Sequence, residues 1–152
     1  MARRVAPRTA PGRAGTPRAA RPPRRLILDS GAVIALARGE ERARAFLRRA
    51  LELRATIEIP AVVVAETVRG GPRDATVNRV LNTIGSVPDM GEAHGRIAGR
   101  LLARVEGAQL PTIDALVVAH AVAAGGADIL TGDPDDLRRL AASCPEVTIR
   151  AL

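Results

Sequence analysis

The sequence predicts an α/β domain in which helices are layered on a short, mostly parallel sheet. Three observations lead there. Short apolar runs alternate along the chain with longer amphipathic segments, the signature of a sheet whose strands are joined by helical crossovers. The first run, Leu26-Ile27-Leu28, is apolar throughout, as a strand buried on both faces must be. No internal repeat divides the chain, and its 152 residues, 47% of them hydrophobic, suffice for one sizeable core.

The elements follow in order. Leu26–Leu28 is a strand. Asp29-Ser30-Gly31 ends it and caps a helix from Ala32 to about Arg38, which Gly39 breaks. Glu40 to about Leu53 is helical, with Phe46, Leu47 and Ala50 on one stripe. Thr56–Ile59 reads as a second strand. Pro60 opens a third helix that runs to Arg69 and stops at Gly70-Gly71-Pro72. A helix over Asp74–Ile84 and a brief strand at Ser86–Val87 come next. Glu92–Glu106 is amphipathic, with Ile97, Leu101, Leu102 and Val105 on its apolar side. Thr112 opens a helix over Ile113–Ala124. Ala127–Thr131 is a strand, Pro134–Ala142 a helix and Val147–Ile149 a last strand.

Charge divides the chain in two. Residues 1–25 hold eight arginines, five prolines and no acid. The composition is that of a disordered tail, and the domain is expected over residues 26–152. Two readings of the tail stand open: an arm that binds a polyanion such as RNA, or a dispensable extension following a start codon chosen in error. The tail lacks the continuous apolar stretch of a secretory signal. The remaining fifteen arginines face sixteen acids, so the body carries a net charge near −1.

Composition also excludes mechanisms. Every basic residue except the two histidines is an arginine, so no chemistry that depends on a phosphate-loop or Schiff-base lysine is open. The single Cys144 rules out an intrachain disulfide and a multi-cysteine zinc site. Phe46 is the only aromatic of the Phe, Tyr and Trp set, which leaves no base-stacking platform. No apolar run approaches the ~20 residues that span a bilayer, so a membrane partner is not expected.

Four acids stand in apolar company. Asp29 closes the strand Leu26–Leu28. Glu66 sits within Ala61-Val62-Val63-Val64-Ala65-Glu66-Thr67-Val68. Asp114 follows Leu110-Pro111-Thr112-Ile113 and precedes Ala115-Leu116-Val117-Val118. Asp133 ends Ile129-Leu130-Thr131-Gly132-Asp133. Asp29 and Asp133 fall beyond the carboxyl ends of strands, where parallel sheets bind their ligands. An isolated buried carboxylate costs several kcal/mol or takes up a proton. A divalent cation with a preference for oxygen, magnesium or manganese, resolves that cost for a cluster. Each acid also has a plainer role: Asp29 and Asp133 as helix caps, Asp114 as a partner of the helix dipole, Glu66 as an ion-pair partner of Arg69. Their joint placement carries the functional reading.

The segments LILDSGAVIALARGE (26–40), IPAVVVAETVRGG (59–71) and PTIDALVVAHAVAAGGADILTGDPDDLRRLA (111–141) resemble the PIN-domain ribonucleases, most closely the VapC toxins of bacterial toxin–antitoxin pairs. The resemblance implies a PIN-like three-layer α/β/α sandwich and an endoribonuclease dependent on Mg²⁺ or Mn²⁺. Its four acids fall on Asp29, Glu66, Asp114 and Asp133, as metal ligands and catalytic residues. Asp136 matches an acid that stands behind the ligands, and Thr131 a hydroxyl near the metal. The implied partners are an RNA substrate and a small VapB-like antitoxin, bound by a cytoplasmic homodimer of the toxin. The basic tail departs from the pattern, since such toxins begin shortly before the first strand.

A phosphotransfer receiver or haloacid-dehalogenase-type phosphatase also places an aspartate after its first strand. Both rely on a lysine, and the phosphatase further needs Asp-x-Asp where this chain has Asp29-Ser30-Gly31. A non-catalytic PIN-like module that binds RNA or a partner is the remaining alternative. His120, six residues after Asp114, lies about 240° around the helix from it. His94 and His120 are therefore expected at the surface or an interface, and Cys144 as an inert thiol.

Overall fold

A computed structural model of the chain describes residues 25–105 and 110–152. Residues 1–24, and with them nearly all of the basic tail, lie outside the described residues, as does Glu106 at the end of an expected helix. The strands are β1 (Arg25–Leu28), β2 (Thr56–Glu58), β3 (Ala127–Thr131) and β4 (Val147–Ala151). The helices are α1 (Ser30–Ala37), α2 (Glu41–Glu52), α3 (Ala61–Thr67), α4 (Ala75–Ile84), α5 (Glu92–Arg104), α6 (Thr112–Ala123) and α7 (Pro134–Ala141). A 3₁₀ turn at Pro72–Asp74 leads into α4.

The sheet order is β2-β1-β3-β4, with each neighbouring pair parallel. Ile27 stands opposite Glu58 on one side and Ile129 on the other, at the centre of the sheet. Ile27, Leu28, Ile129 and Leu130 are fully buried, which explains why β1 and β3 read as apolar runs rather than alternations. Alternate residues face opposite layers. Leu26 and Asp128 border a hollow under Phe46 of α2, while Arg25 and Glu58 reach residues of α6. The sheet thus has helices on both faces, the three-layer α/β/α arrangement that the sequence predicts. On the α6 side, α6 packs on α5 and α7; on the other, α1 packs against α2 and α4.

Helices α1 and α6 show no amphipathic stripe because the fold buries them nearly all round. In α6, residues Val117 to Ala121 are buried without interruption. Gly39 makes the sharp turn between α1 and α2 with φ of +78°, a conformation that a side chain resists.

Three of the differences from the expectation have a local physical cause. Arg25 belongs to β1 rather than to the tail. Its guanidinium donates to the carbonyl of Ala124 at 2.9 Å, which fixes it against the end of α6. Helix α3 ends at Thr67, with Val68 already extended. The cause is Asp74, whose Oδ2 accepts the N–H groups of Arg69, Gly70 and Gly71 at 2.8, 2.6 and 3.1 Å and draws that segment out of the helix. Ser86–Val87 is not a strand. A single backbone bond, from Ile59 N–H to Ser86 O at 3.0 Å, is all that joins it to the end of β2. Val87 is exposed and precedes Pro88, which has no N–H to continue a ladder.

Candidate active site

The parallel register brings the ends of β1 and β3 side by side: Leu28 stands opposite Leu130, and the Asp29 N–H donates to the Leu130 carbonyl at 3.0 Å. Asp29 and the Thr131–Asp133 turn therefore emerge at one level. Asp29 is buried, and its Oδ2 accepts the hydroxyl proton of the fully buried Thr131 at 2.9 Å. The same hydroxyl accepts the Asp133 N–H at 3.1 Å, with the Asp133 carbonyl at 3.2 Å as an alternative acceptor. Gly31 and Gly132 let the two segments come this close. A Cβ on Gly31 would stand 2.7 Å from the Gly132 nitrogen, so no other residue fits there without displacement.

Asp114 does sit in the first turn of α6, but the plainer roles of Asp29, Asp133 and Glu66 are not the ones they take. Asp29 occupies the cap position of α1 and Asp133 that of α7, yet neither side chain closes a capping hydrogen bond. The Ser30 N–H lies near enough to favour the ionised Asp29 without forming a bond of regular geometry. Glu66 does not pair with Arg69, whose guanidinium donates to the Ala65 carbonyl at 2.7 Å. Glu66 Oε2 and Asp29 Oδ1 are both buried with no hydrogen-bond partner. Asp136 stands 3.8 Å from Arg139, one turn along α7.

Electrostatics tie the five acids together. Burial pushes the Asp29 carboxyl above the usual range, and the charges of Glu66 and Asp133 add to the rise against the pull of Ser30 and Thr131. Asp114, in the first turn of α6, is pushed up to about 6 by burial and by the negative charges of Asp29, Glu66, Asp136 and Asp133. The structure thus brings Asp29, Glu66, Asp114, Asp133 and Asp136 within electrostatic reach of one another. Among the described residues, no three His, Cys, Asp or Glu side chains stand close enough together to ligate one ion as they are placed.

The donor set fits a hard divalent cation nonetheless. It consists of carboxylates alone, and two of its oxygens are buried without the hydrogen bonds that such atoms ordinarily find. Asp29, Glu66, Asp114 and Asp133 are the candidate ligands for such an ion.

His94 is half-buried, as an interface group would be, but His120 is not at the surface. His120 is buried, and its Nε2 lies 2.8 Å from Glu58 Oε2. His94 Nε2 is 3.3 Å from His120 Nδ1, and the Gly91 N–H donates to His94 Nδ1 at 3.2 Å. That acceptor role puts the His94 proton on Nε2, from which it donates to His120. His120 in turn donates from Nε2 to Glu58. Arg25 Nε lies 3.2 Å from the same Glu58 oxygen. The signal for burial was available in the apolar residues on every side of His120 in α6. The partner Glu58, 62 positions away, was not. Cys144 is buried.

A sheet of order 2-1-3-4 with acids gathered at its carboxyl edge defines a class of α/β fold whose site lies beyond the strand ends. The family model of the PIN domain matches residues 26–143, and the chain belongs to the PIN-domain family. Among solved structures it is similar to a chain of VapBC2 from Rickettsia felis bound to a promoter DNA fragment, with 16% identity and a TM-score of 0.67, covering 84% of this chain and 98% of that one. It is also similar to DNA-bound VapBC from Salmonella typhimurium, with 17% identity and a TM-score of 0.65 over the same shares. A third similarity is to FitAcB from Neisseria gonorrhoeae, with 18% identity, a TM-score of 0.60, and coverage of 82% and 95%. At these identities the likeness is one of fold. A comparison with curated proteins finds no match. No helix among the described residues is long and apolar enough to cross a membrane.

Proposed function

We propose that this PIN-domain protein is a metal-dependent endoribonuclease and the toxin of a VapBC-type pair. The observation that carries the nuclease reading is the pair of orphaned oxygens, Asp29 Oδ1 and Glu66 Oε2, set among carboxylates whose charges raise the proton affinity of Asp29 and Asp114. Like charges gathered around buried, unpaired oxygens are costly to the fold and useful only with a cation between them.

Asp29, Glu66, Asp114 and Asp133 hold the ion in this reading, with Mg²⁺ or Mn²⁺ as the species that suits all-oxygen ligands. Such an ion supplies an activated water and stabilises the departing oxygen of a phosphodiester. The chain's own part is orientation. Thr131 fixes Asp29 Oδ2 and so leaves Oδ1 turned to the ion, while its bond to the Asp133 N–H holds the β3–α7 turn in place. Asp133 is exposed, and Asp114 and Glu66 are half-buried. Asp136 stands behind Asp114 and adds negative charge.

The toxin reading is supported by the fold shared with the VapBC and FitAcB structures, two of them bound to DNA. A toxin–antitoxin complex from Klebsiella pneumoniae shares it too. The reading implies a small VapB-like antitoxin, a homodimer and a cytoplasmic site of action on RNA. All four acids are in place, so nothing in the sequence supports the non-catalytic alternative. The test is induced expression of the intact protein and of Asp29→Asn. Growth arrest with the first and normal growth with the second is the expected result. Arrest by both removes catalysis at this site from the explanation.

A further inference from the structure

The sheet-end site is strongly acidic, and a polyanion can approach it only where cations receive it. Seven of the sixteen arginines of the described residues are engaged by an acid on their own or a neighbouring element. Among the described residues, Arg38 and Arg44 are two of the six whose guanidinium makes neither an ion pair nor a hydrogen bond. Glu41, one turn back on α2, senses Arg44 but is bonded to Arg48.

Both arginines stand at the corner between α1 and α2. Arg38 caps the carboxyl end of α1. Gly39 then reverses the chain at φ +78°, and the Arg44 guanidinium folds back over it so closely that a Cβ there would meet Nη2 at 2.6 Å. Two exposed guanidinium groups are gathered on one turn with no bonded counter-charge.

Arg38 also borders a concavity of about 450 Å³ whose other walls include Gly31, Ile34, Gly132 and Glu40. Gly31 lies two residues from Asp29, and Gly132 adjoins Asp133. The concavity therefore lies beside the sheet-end turn, with the two glycines at one end and Arg38 at the other. Helix α1, eight residues long, sets the two ends about 12 Å apart. Glu40, the acid on this wall, is exposed and bonded to neither arginine.

We propose that the α1–α2 corner is a phosphate-binding site for the RNA backbone. Arg38 and Arg44 grip one phosphodiester while a neighbouring part of the same strand lies across the carboxylates. This rests on the ribonuclease reading of the site and adds how the substrate is held. Guanidinium groups suit the task because each offers two parallel N–H donors to a phosphate. The anchor is remote from the bond being cut, so it acts equally on bound substrate and transition state.

The experiment compares the intact protein with R38Q/R44Q, and with R79Q/R100Q on α4 and α5, whose arginines are equally unpaired but do not line this concavity. Cleavage of a single-stranded RNA is followed with saturating Mn²⁺ over a salt series, and Mn²⁺ binding is measured without RNA. The expected result for R38Q/R44Q is a KM raised about tenfold or more with kcat within about twofold. Its dependence of log(kcat/KM) on log salt should be shallower by roughly 0.7 for each phosphate that is no longer bound. Its Mn²⁺ binding and melting temperature, and all properties of R79Q/R100Q, should stay unchanged. A KM and salt slope equal to those of the intact protein overturn the anchor and leave the ribonuclease reading standing, as does a fall in kcat alone. An intact protein that cuts no RNA under these conditions brings down the ribonuclease reading, and the anchor with it.

Discussion

The Thr131 hydroxyl donates to Asp29 Oδ2 at 2.9 Å across 102 positions of sequence, and by accepting the Asp133 N–H it ties both strand-end acids to one buried oxygen. Thr131→Val keeps the shape and removes the link. It should cost about 1–3 kcal/mol of stability, because a buried carboxylate oxygen and an N–H are each left without a partner. It should also weaken Mn²⁺ binding by about 10–100-fold, as removal of a ligand's orienting group does elsewhere. Urea unfolding and a Mn²⁺ titration measure the two effects.

Asp114 and Asp29 set a pH dependence whose sign is fixed. Their carboxyls hold protons more tightly in the folded protein, Asp114 to about 6, than in the unfolded chain, where both release them near 4. The folded state is therefore favoured at low pH, and that advantage is lost as pH rises from about 4 through 6. Asp74, held low by three backbone N–H groups, acts oppositely and withdraws its support below about pH 4. Metal-free protein should thus melt at progressively lower temperature from about pH 4.5 to 7, and Mg²⁺ at pH 7 should restore it. Asp114→Asn should flatten the fall. A melting temperature that rises over this interval without metal contradicts the coupling.

Gly31 is the position where α1 and the β3–α7 turn meet, with room for no Cβ beside the Gly132 nitrogen. Gly31→Ala should separate Asp29 from Asp133, lowering cleavage by at least about tenfold and stability by about 1–3 kcal/mol. Gly70→Ala is an unsuitable control because of its φ of +82°. Gly95→Ala, open on all sides, should leave both properties intact.

The Glu58–His120 pair makes a contrasting prediction. Glu58→Ala leaves His120 and Arg25 without their shared carboxylate and should destabilise the protein by about 2–4 kcal/mol. His120 lies six residues, about 9 Å, along α6 from Asp114. Mn²⁺ affinity and RNA cleavage by the folded variant should therefore match those of the intact protein at low temperature. A large loss of metal affinity would place Glu58 in the site rather than beneath it.

Much of the site was legible because its signals are local. An acid closing an apolar run marks a strand end, and an acid inside Ala61–Val68 or before Val117-Val118 is conspicuous against its neighbours. The parallel register then does the rest, since it sets Asp29 beside the Thr131–Asp133 turn whatever lies between them. The parts that were missed depend on distant partners. His120 looked unremarkable until Glu58 and Arg25 came to meet it from two other strands. Helix α3 carries a helical sequence to Arg69, but Asp74 takes the N–H groups that would have continued it. Ser86–Val87 has strand composition, and Pro88 denies it the second bond of a ladder. The arginine corner was invisible for another reason. Which of many arginines lack an acid is a property of the folded surface.

The central claim is that the carboxylates at the ends of β1 and β3 bind a divalent metal and use it to cut RNA. Its most direct test is cleavage of a mixed RNA substrate by purified protein with Mg²⁺ or Mn²⁺, repeated in EDTA and with Asp29→Asn. Cleavage that needs the metal, stops in chelator and disappears with the Asp29 variant is the predicted result. Cleavage that persists in EDTA, or that Asp29→Asn carries out as well as the intact protein, would contradict it.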